Sequence, residues 1–329
     1  MRSEQYQVFF YEAFEEEKAA LEKYNAGMIN AGYDWKTIQE AGHDQPPAPV
    51  ISVRTQSQIP PQWKDSLKAV LTRSTGYDHL VEYRDDNKAE NVLMGYLPLY
   101  CNRAVAEQAM LLWTALLRRL PRQLNQFRCF HRDGLTGGEC SGRKLAVFGV
   151  GNIGREVVRI CRGLDMQVVG VDIDPRFDDI DYSDPDTALA GADIVVCSMN
   201  LTDDNRGYFD YHKLSKVRPG TIFVNIARGE LSPPADLLRL LNEGVLGGLG
   251  LDVYPDEKTL GPALRGESSG QGTEYEAIAA FQKRDDVLLT PHNAFNTQEA
   301  VERKSEQSIQ QLLHLQKTGN EFLWPVPRG

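Results

Sequence analysis

A glycine-rich turn between a strand and a helix constrains the fold of this chain more than any other feature. Residues 149–154 read GVGNIG, follow the apolar run KLAVF and precede the helical pattern IGREVVRICRGL. A GxGxxG motif in that context predicts a βα unit that binds a dinucleotide, because the glycines allow a tight turn and close approach of a pyrophosphate. The N-terminus of the helix attracts the phosphates. The predicted cofactor-binding residues are Gly149, Gly151, Asn152, Ile153 and Gly154.

An acidic residue stands where such a unit contacts the ribose. Asp172 closes the next strand-like run, VVGVD, at close to the expected distance of about 20 residues from the motif. A carboxylate at this position accepts hydrogen bonds from the ribose hydroxyls and repels a 2′-phosphate. We therefore expect the cofactor to be NAD rather than NADP.

Strand-like and helical patterns alternate along most of the chain, which is typical of parallel α/β sheets. The length of 329 residues favours two domains. A single long helix is predicted over 104–124, disturbed late by Pro121, and the last helix over about 297–315. The polar stretch 257–285 predicts a surface loop with one helix. The predicted strands are 7–11, 50–53, 69–72, 145–148, 167–171, 194–198, 222–225, 249–251 and 287–289.

Composition excludes several classes of function. The net charge of −10 disfavours non-specific binding to nucleic acid or to anionic membranes. The five cysteines are odd in number and form no CxxC pair, so neither a zinc site nor a disulfide framework is expected. The opening residues lack the apolar core of a signal peptide, and the run 104–117 is too short and too polar to span a bilayer. We expect a cytoplasmic protein without a metal, a nucleic-acid partner or a membrane partner.

Charged side chains follow three of the later predicted strands. Arg228 follows TIFVNIA, Asp252 and Glu257 follow GLGL, and His292 follows VLLT. Ligands of open α/β sheets bind beyond the carboxyl ends of the strands. An arginine pairs with a carboxylate, a histidine donates a proton, and a neighbouring carboxylate stabilises the imidazolium. Each residue alone could be structural, but together they predict hydride transfer to a 2-keto acid.

With these motifs, the sequence resembles the D-isomer-specific 2-hydroxy acid dehydrogenases, and within them the D-lactate dehydrogenase branch, over residues 8–322. The most specific segments are VFGVGNIG, VNIARGEL, GGLGLDVYPDE, VLLTPHNAF, TRSTGYDHL and LPLYCNRAVAEQA. The resemblance implies that Arg228 binds the substrate, that His292 donates the proton and that Glu257 is the carboxylate partner of His292. It also implies that Asp252 is a cofactor-binding residue that lies near the nicotinamide.

The resemblance further implies two doubly wound parallel-sheet domains. A Rossmann NAD-binding domain, 102–293, is inserted into a flavodoxin-like substrate domain formed by 1–101 and 294–329, with the active site in the cleft and the helix from Ala104 in a homodimer interface. The backbone N–H groups of Thr75 and Gly76 would hold the substrate carboxylate. Tyr100 and Phe295 would line the pocket.

Two departures from the family pattern keep alternatives open. Arg54 stands where lactate-type members carry an apolar or aromatic residue, so it is either a surface side chain or a substrate-binding one. The segment 198–200, Ser-Met-Asn, replaces the usual His-Val-Pro beside the cofactor, which could alter the affinity for NAD. The predicted substrate pair is pyruvate and D-lactate. The alternatives are reduction of glyoxylate, hydroxypyruvate or a larger or acidic 2-keto acid, and an NADH-sensing scaffold protein.

Overall fold

The computed structural model describes residues 6–328 and separates into two compact units. The first consists of the chain up to Cys101 together with the chain from Asn296 onward, and the second is Asn102–Phe295. The second unit therefore ends at Phe295, slightly beyond the predicted domain boundary at 293. Residues 1–5, on which the expectation about a signal peptide partly rests, lie outside the described residues.

The two units are built from short strands and helices that alternate along the chain. The strands are β1 Val8–Phe10, β2 Ala31–Tyr33, β3 Val50–Val53, β4 Ala69–Thr72, β5 Leu93–Gly95, β6 Lys144–Phe148, β7 Gln167–Val171, β8 Ile194–Cys197, β9 Thr221–Asn225, β10 Leu246–Leu251 and β11 Val287–Leu289. The helices are α1 Glu15–Asn25, α2 Ile38–Ala41, α3 Asp78–Asn87, α4 Asn102–Leu117, α5 Leu120–Phe127, α6 Asn152–Gly163, α7 Pro185–Gly191, α8 Tyr211–Leu214, α9 Pro234–Asn242, α10 Glu257–Leu264, α11 Thr273–Phe281 and α12 Gln298–Thr318.

The first unit contains a five-stranded parallel sheet in the order β2-β1-β3-β4-β5. This is the flavodoxin-like order, in which the direction of winding reverses between β1 and β3. Strands β3 and β4 are buried along their whole length, as strands of a parallel sheet covered on both faces are. Ile51 and Val70 pack with Trp63 and Leu80 in one core cluster.

Two strands of this sheet, β2 and β5, were missed by the sequence patterns. Each has three residues and contains a glycine that a neighbouring ring approaches. A Cβ on Gly32 would lie 2.5 Å from the ring of Phe9, and one on Gly95 would lie 2.6 Å from the ring of Phe322. Such short runs lack the apolar alternation that identifies a strand, so the sequence patterns could not reveal them.

The second unit contains a six-stranded parallel sheet in the order β11-β10-β9-β8-β6-β7. The winding reverses between β6 and β8, which is the position where doubly wound sheets bind their ligands. All the strands predicted for this part of the chain are present, and 167–171 and 287–289 have the predicted bounds. The prediction of two doubly wound parallel α/β domains is thereby confirmed.

The prediction of one long helix over 104–124 was wrong. The structure has α4 and α5, separated at Arg119, whose φ of +51° is left-handed. Pro121 lies in the first turn of α5. Proline is tolerated there because the N–H group it lacks would have no partner within the helix, whereas inside a continuous helix it removes a hydrogen bond.

The stretch 257–285 differs from its prediction as well, since it forms two helices, α10 and α11, around the segment GESSGQG rather than one. The last helix is α12, which Thr297 caps by accepting a hydrogen bond from the N–H of Ala300. Within residues 6–328, no helix combines the length and the apolar character needed to cross a bilayer. The same residues contain no group of three or more His, Cys, Asp or Glu side chains placed to hold a metal ion.

Candidate active site

The glycine turn has the shape that a bound pyrophosphate requires. Gly149 has a φ of +87°, and a Cβ on it would lie 2.6 Å from the amide nitrogen of Met199. A Cβ on Gly154 would lie 2.1 Å from the carbonyl oxygen of Gly149, so the start of α6 packs directly on the turn. Gly151 differs, because a Cβ there meets nothing within 4 Å. The open space at Gly151, beside the uncapped N-terminus of α6, fits a phosphate group.

The segment 198–200, in which the sequence departs from the family, lies against this turn. The hydroxyl of Ser198 donates to the carbonyl oxygen of Gly149 at 2.7 Å and lies 3.3 Å from that of Phe148. Ser198 therefore links the end of β8 to the end of β6 across the point where the winding reverses. Its effect on the affinity for NAD stays a prediction.

Asp172 lies at the end of β7 and contacts the same turn. Its Oδ2 accepts the N–H of Val150 at 2.6 Å, and its Oδ1 accepts the N–H of Asp174 at 3.0 Å. The side chain is only partly buried, so it stays accessible to a ligand. The predicted ribose acid is thus held beside the predicted phosphate turn by a direct hydrogen bond.

Arg228 follows β9 in a loop that a buried asparagine organises. The side-chain amide of Asn225 donates to the carbonyl oxygen of Arg228 and to the hydroxyl of Ser232, both at 2.8 Å. Its Oδ1 accepts the N–H of Ala227 at 2.9 Å. Arg228 is partly buried and donates from Nη1 to the carbonyl oxygen of Ala227. Asn225 was not among the predicted site residues, although a polar residue that ends a buried strand could have indicated it.

A glycine allows the Arg228 loop to contact the loop that precedes Glu257. A Cβ on Gly229 would lie 1.9 Å from the carbonyl carbon of Tyr254 and 2.1 Å from the nitrogen of Pro255. Those atoms belong to the backbone, so no rotamer change could relieve the contact. The structure therefore brings the loop of Arg228 and the loop of Glu257 together.

His292 and Glu257 form the central pair of the site. Nδ1 of His292 lies 2.7 Å from Oε2 of Glu257, although the two residues are far apart in the chain. Each side chain is about one-third exposed, at 32% and 36%. The other carboxylate oxygen of Glu257 accepts the N–H of Tyr254 at 3.1 Å. Because Nδ1 is engaged by Glu257, Nε2 is the nitrogen of His292 that is left to exchange a proton with a ligand.

The backbone of His292 is held in a strained conformation by Asp252. His292 has a φ of +49°, in the left-handed region that costs a residue with a side chain roughly 1 kcal/mol or more. Asp252, at the end of β10, accepts the N–H groups of Asn293 and Ala294 at 3.0 and 2.9 Å and the hydroxyl of Thr290. These bonds fix the turn that carries His292. Burial raises the pKa of the Asp252 carboxyl, and the three hydrogen bonds oppose that shift.

Asp252 is 0% exposed, so it supports the site from beneath the surface, and its place among the cofactor-binding residues stays a prediction. The role of Asp252 in the structure is to position the turn that carries His292. Phe295 lies at the end of that turn, with its ring centroid 6.3 Å from that of His292.

The remaining predicted site residues belong to the first unit, at the carboxyl ends of its strands. Thr75 and Gly76 follow β4 and are partly buried, and Thr75 donates its hydroxyl to the carbonyl oxygen of Leu97 at 3.1 Å. Arg54 follows β3 and is also partly buried. Tyr100 is only 4% exposed, so little of its ring is open to a ligand.

Comparisons with known proteins show which family the chain resembles. Residues 109–294 match the family model described as D-isomer specific 2-hydroxyacid dehydrogenase, NAD binding domain. A D-lactate dehydrogenase from Curvularia clavata is 30% identical over 255 residues, which cover 75% of this chain and 71% of that protein. An aromatic 2-oxoacid reductase from Clostridium sporogenes is 27% identical and covers 77% of each chain.

A solved structure shares the fold over nearly the whole chain. The D-lactate dehydrogenase from Aquifex aeolicus, complexed with NAD and lactic acid, superposes with a TM-score of 0.82 at 22% identity and covers 96% of this chain and 98% of its own. The family model matches residues 109–294, and the Curvularia enzyme is 30% identical to this chain. The similarity therefore shows the family and not the fold alone. NAD is thereby confirmed as the cofactor. The chain belongs to the D-isomer specific 2-hydroxyacid dehydrogenase family and is an NAD-dependent oxidoreductase of its D-lactate dehydrogenase branch.

Proposed function

We propose that the enzyme interconverts a small 2-keto acid and its D-2-hydroxy acid, with pyruvate and D-lactate as the reference pair. The observation that supports this most directly is the pair formed by His292 and Glu257, 2.7 Å apart, next to the loop that carries Arg228. A proton donor, the carboxylate that holds it and a guanidinium are the groups that keto-acid reduction needs.

Each of the three side chains has a separate part in the proposed reduction. The nicotinamide, when bound, supplies the hydride that is added to carbon 2. Arg228 pairs with the substrate carboxylate and polarises the carbonyl group. His292 donates its Nε2 proton to the oxygen as negative charge develops there, while Glu257 accepts a hydrogen bond from Nδ1 and stabilises the imidazolium. We assign the N–H groups of Thr75 and Gly76 to the substrate carboxylate.

The function is tested by a panel of keto acids assayed with NADH and with NADPH. Pyruvate, glyoxylate, hydroxypyruvate and a branched 2-keto acid are each mixed with enzyme and reduced cofactor, and cofactor oxidation is followed by absorbance. We expect NADH to be oxidised with at least one of these acids. Tight NADH binding without oxidation by any keto acid would instead support the NADH-sensing scaffold.

The choice between NADH and NADPH should depend on the charge of Asp172. We expect Asp172→Asn to raise kcat/KM for NADPH relative to NADH about 10-fold, because the amide keeps an oxygen for the N–H of Val150 but no longer repels a 2′-phosphate. Asp174→Asn is the matched control, since Asp174 is exposed and pairs with Arg176 at 3.2 Å. Equal changes in the two variants would show that Asp172 has no special part in cofactor choice.

We propose that the enzyme is a homodimer in which α5 contributes to the interface. Leu120, Leu124 and Phe127 on α5, and Phe130 just after it, are exposed by 39–73%, and none of the residues of α5 is buried. Apolar side chains clustered on one exposed helix are typical of a protein–protein contact. Among the described residues of α4, Leu111 alone is a large apolar side chain that is exposed. The exposed apolar surface therefore favours α5 over α4 as the helix in the dimer interface.

If α5 lies in the dimer interface, one substitution on this helix should change the mass of the protein in solution. Leu124→Glu should shift the protein from dimer to monomer in size-exclusion chromatography with light scattering, because a buried carboxylate is costly in an apolar interface. Met28→Glu, on an exposed residue of the first unit, should leave the mass unchanged. A Leu124→Glu protein that keeps the wild-type mass would remove α5 from the interface.

We also propose a cytoplasmic location. The cysteines Cys101, Cys129, Cys140, Cys161 and Cys197 are all free in the structure. Free thiols are usual in a reducing compartment. Fractionation of cells that produce the enzyme would test the proposal.

A further inference from the structure

Three neighbouring strands of the second unit precede the three proposed reactive side chains. Strands β9, β10 and β11 lie side by side in the sheet, and the loops that follow them carry Arg228, Glu257 and His292. In a parallel sheet these loops share one edge, so a residue of the middle loop can contact the loops on both sides. Tyr254 lies in that middle loop, between the end of β10 and Glu257.

The backbone of Tyr254 contacts both Glu257 and the loop of Arg228. Its N–H donates to Oε1 of Glu257 at 3.1 Å, and the other oxygen of this carboxylate, Oε2, lies 2.7 Å from Nδ1 of His292. A Cβ on Gly229 would lie 1.9 Å from the carbonyl carbon of Tyr254 and 2.4 Å from its Cα. The backbone of Tyr254 therefore orients the carboxylate that holds His292 and packs against the residue that follows Arg228.

The hydroxyl group of Tyr254 extends to the third loop. It donates to the carbonyl oxygen of Thr290 at 3.0 Å and lies 3.2 Å from that of Leu251. The same oxygen of Thr290 accepts the N–H of His292 at 3.0 Å, and the N–H of Thr290 donates to the carbonyl oxygen of Leu251 at 2.9 Å. The hydroxyl group therefore binds the carbonyl group at the base of the turn that carries His292.

The surroundings of the Tyr254 ring keep this hydroxyl group in place. The ring is partly buried and packs against the core cluster of the second unit that includes Leu260 and Phe281. Burial raises the pKa of the hydroxyl, and the nearby carboxyl groups of Asp252 and Glu257 add to that shift, so the hydroxyl keeps its proton at neutral pH. A tyrosine side chain has only two rotatable bonds, so a packed ring fixes the position of its hydroxyl.

We propose that Tyr254 is a positioning residue, whose N–H holds Glu257 and whose hydroxyl holds the turn of His292, so that the two reactive side chains stay in contact. The left-handed φ of +49° at His292 calls for such support, because an unsupported turn would relax toward a more favourable conformation. The inference rests on the proposed function and adds to it a residue that acts through Glu257 and His292. A residue that only stabilised the fold would have no specific effect on the contact of these two side chains.

The test begins with Tyr254→Phe, which removes the hydroxyl and keeps the ring and the backbone N–H. We expect kcat for reduction of the best keto acid to fall about 10-fold, because a lost hydrogen bond lets the turn of the proton donor move. The dissociation constant of NADH should be unchanged, since the predicted contacts of the dinucleotide lie at the glycine turn and Asp172. Steady-state kinetics and NADH titration by fluorescence measure both, and thermal unfolding establishes that the variant is folded at the assay temperature.

Tyr211→Phe is the matched control. Tyr211 is also partly buried, packs against the same core cluster and donates its hydroxyl to Oε2 of Glu243 at 2.8 Å. Its substitution removes a hydroxyl hydrogen bond that does not involve the loops after β9, β10 and β11. We expect kcat and NADH binding of this variant to equal those of the wild type.

A double-mutant cycle with Glu257→Gln separates positioning from stability. Glutamine keeps an oxygen for the N–H of Tyr254 but has no charge to stabilise an imidazolium. If Tyr254 acts through the contact of Glu257 with His292, adding Tyr254→Phe to Glu257→Gln should lower kcat by no more than about 2-fold. An effect that was independent of this contact would lower kcat by about 10-fold in both backgrounds and would contradict the inference.

The outcomes distinguish this inference from the proposed function. If the wild type reduces a keto acid and Tyr254→Phe does so with the same kcat, or if Tyr211→Phe loses as much activity, the inference is wrong and the proposed function stands. If no keto acid is reduced although NADH binds, the proposed function itself fails and the inference fails with it.

Discussion

His292→Ala is expected to lower kcat for keto-acid reduction by about 10²–10⁴-fold, the usual contribution of a general acid. The imidazole is held by Glu257 through Nδ1, which leaves Nε2 to donate the proton. Without it, the oxygen that gains negative charge must take its proton from water. Binding of NADH should be unchanged, because the predicted contacts of the dinucleotide lie at the glycine turn and Asp172. Steady-state kinetics with the best keto acid, together with NADH titration by fluorescence, would measure both effects.

The backbone at His292 calls for a second variant, since its φ of +49° is unfavourable for alanine. Asparagine adopts left-handed conformations more readily, so His292→Asn removes the proton donor with less disturbance of the turn. We expect both variants to lose activity to a similar extent. His212→Ala, at an exposed histidine of α8, is the matched control. Near-normal turnover of His292→Asn would rule out the proposed proton donor.

Gly229→Ala is expected to lower kcat/KM by about 10²-fold, although position 229 bears no reactive group. The added Cβ would lie 1.9 Å from the carbonyl carbon of Tyr254, so the loop of Arg228 and the loop of Glu257 must move apart. A displacement of about 1 Å between catalytic groups can reduce the rate by about 10²-fold. Overpacking should also reduce the free energy of unfolding by about 1–3 kcal/mol.

The measurement must separate misplacement from unfolding. Thermal unfolding and NADH titration would establish that the Gly229→Ala protein is folded and binds cofactor at the assay temperature. Gly163→Ala is the matched control, because a Cβ at the end of α6 meets nothing within 4 Å and Gly163 has no left-handed φ. Wild-type kcat/KM in Gly229→Ala would show that the contact of the two loops does not position the catalytic groups.

Much of the fold could be predicted because the signals are local. Strands β3, β4, β7 and β11 have the bounds read from their apolar runs, and the glycine turn was identified by six consecutive residues and their flanks. Where local signals were weak, the prediction failed. Strands β2 and β5 have only three residues each. The break between α4 and α5 depends on the left-handed conformation of Arg119, and arginine is not a residue type that indicates such a conformation.

The candidate site, too, could be predicted from the sequence only in part. The positions of Arg228, Glu257 and His292 after successive strands could be read from the chain, because parallel strands present their carboxyl ends at one edge of a sheet. The contact of Gly229 with Tyr254 and the support of the His292 turn by Asp252 could not. These contacts join residues that are distant in the chain, and their atoms meet only when the sheet has formed.

The sequence by itself determined the class of the fold, the dinucleotide-binding turn and the identity of the reactive groups, since each depends on residue types at short spacing. Only the tertiary structure decided which carboxylate is buried and structural, as Asp252 is, and that Glu17 is shared by Arg73 and Lys304. The physical reason is that burial and charge balance depend on neighbours supplied by several different elements, and these neighbours are absent from any single stretch of the chain.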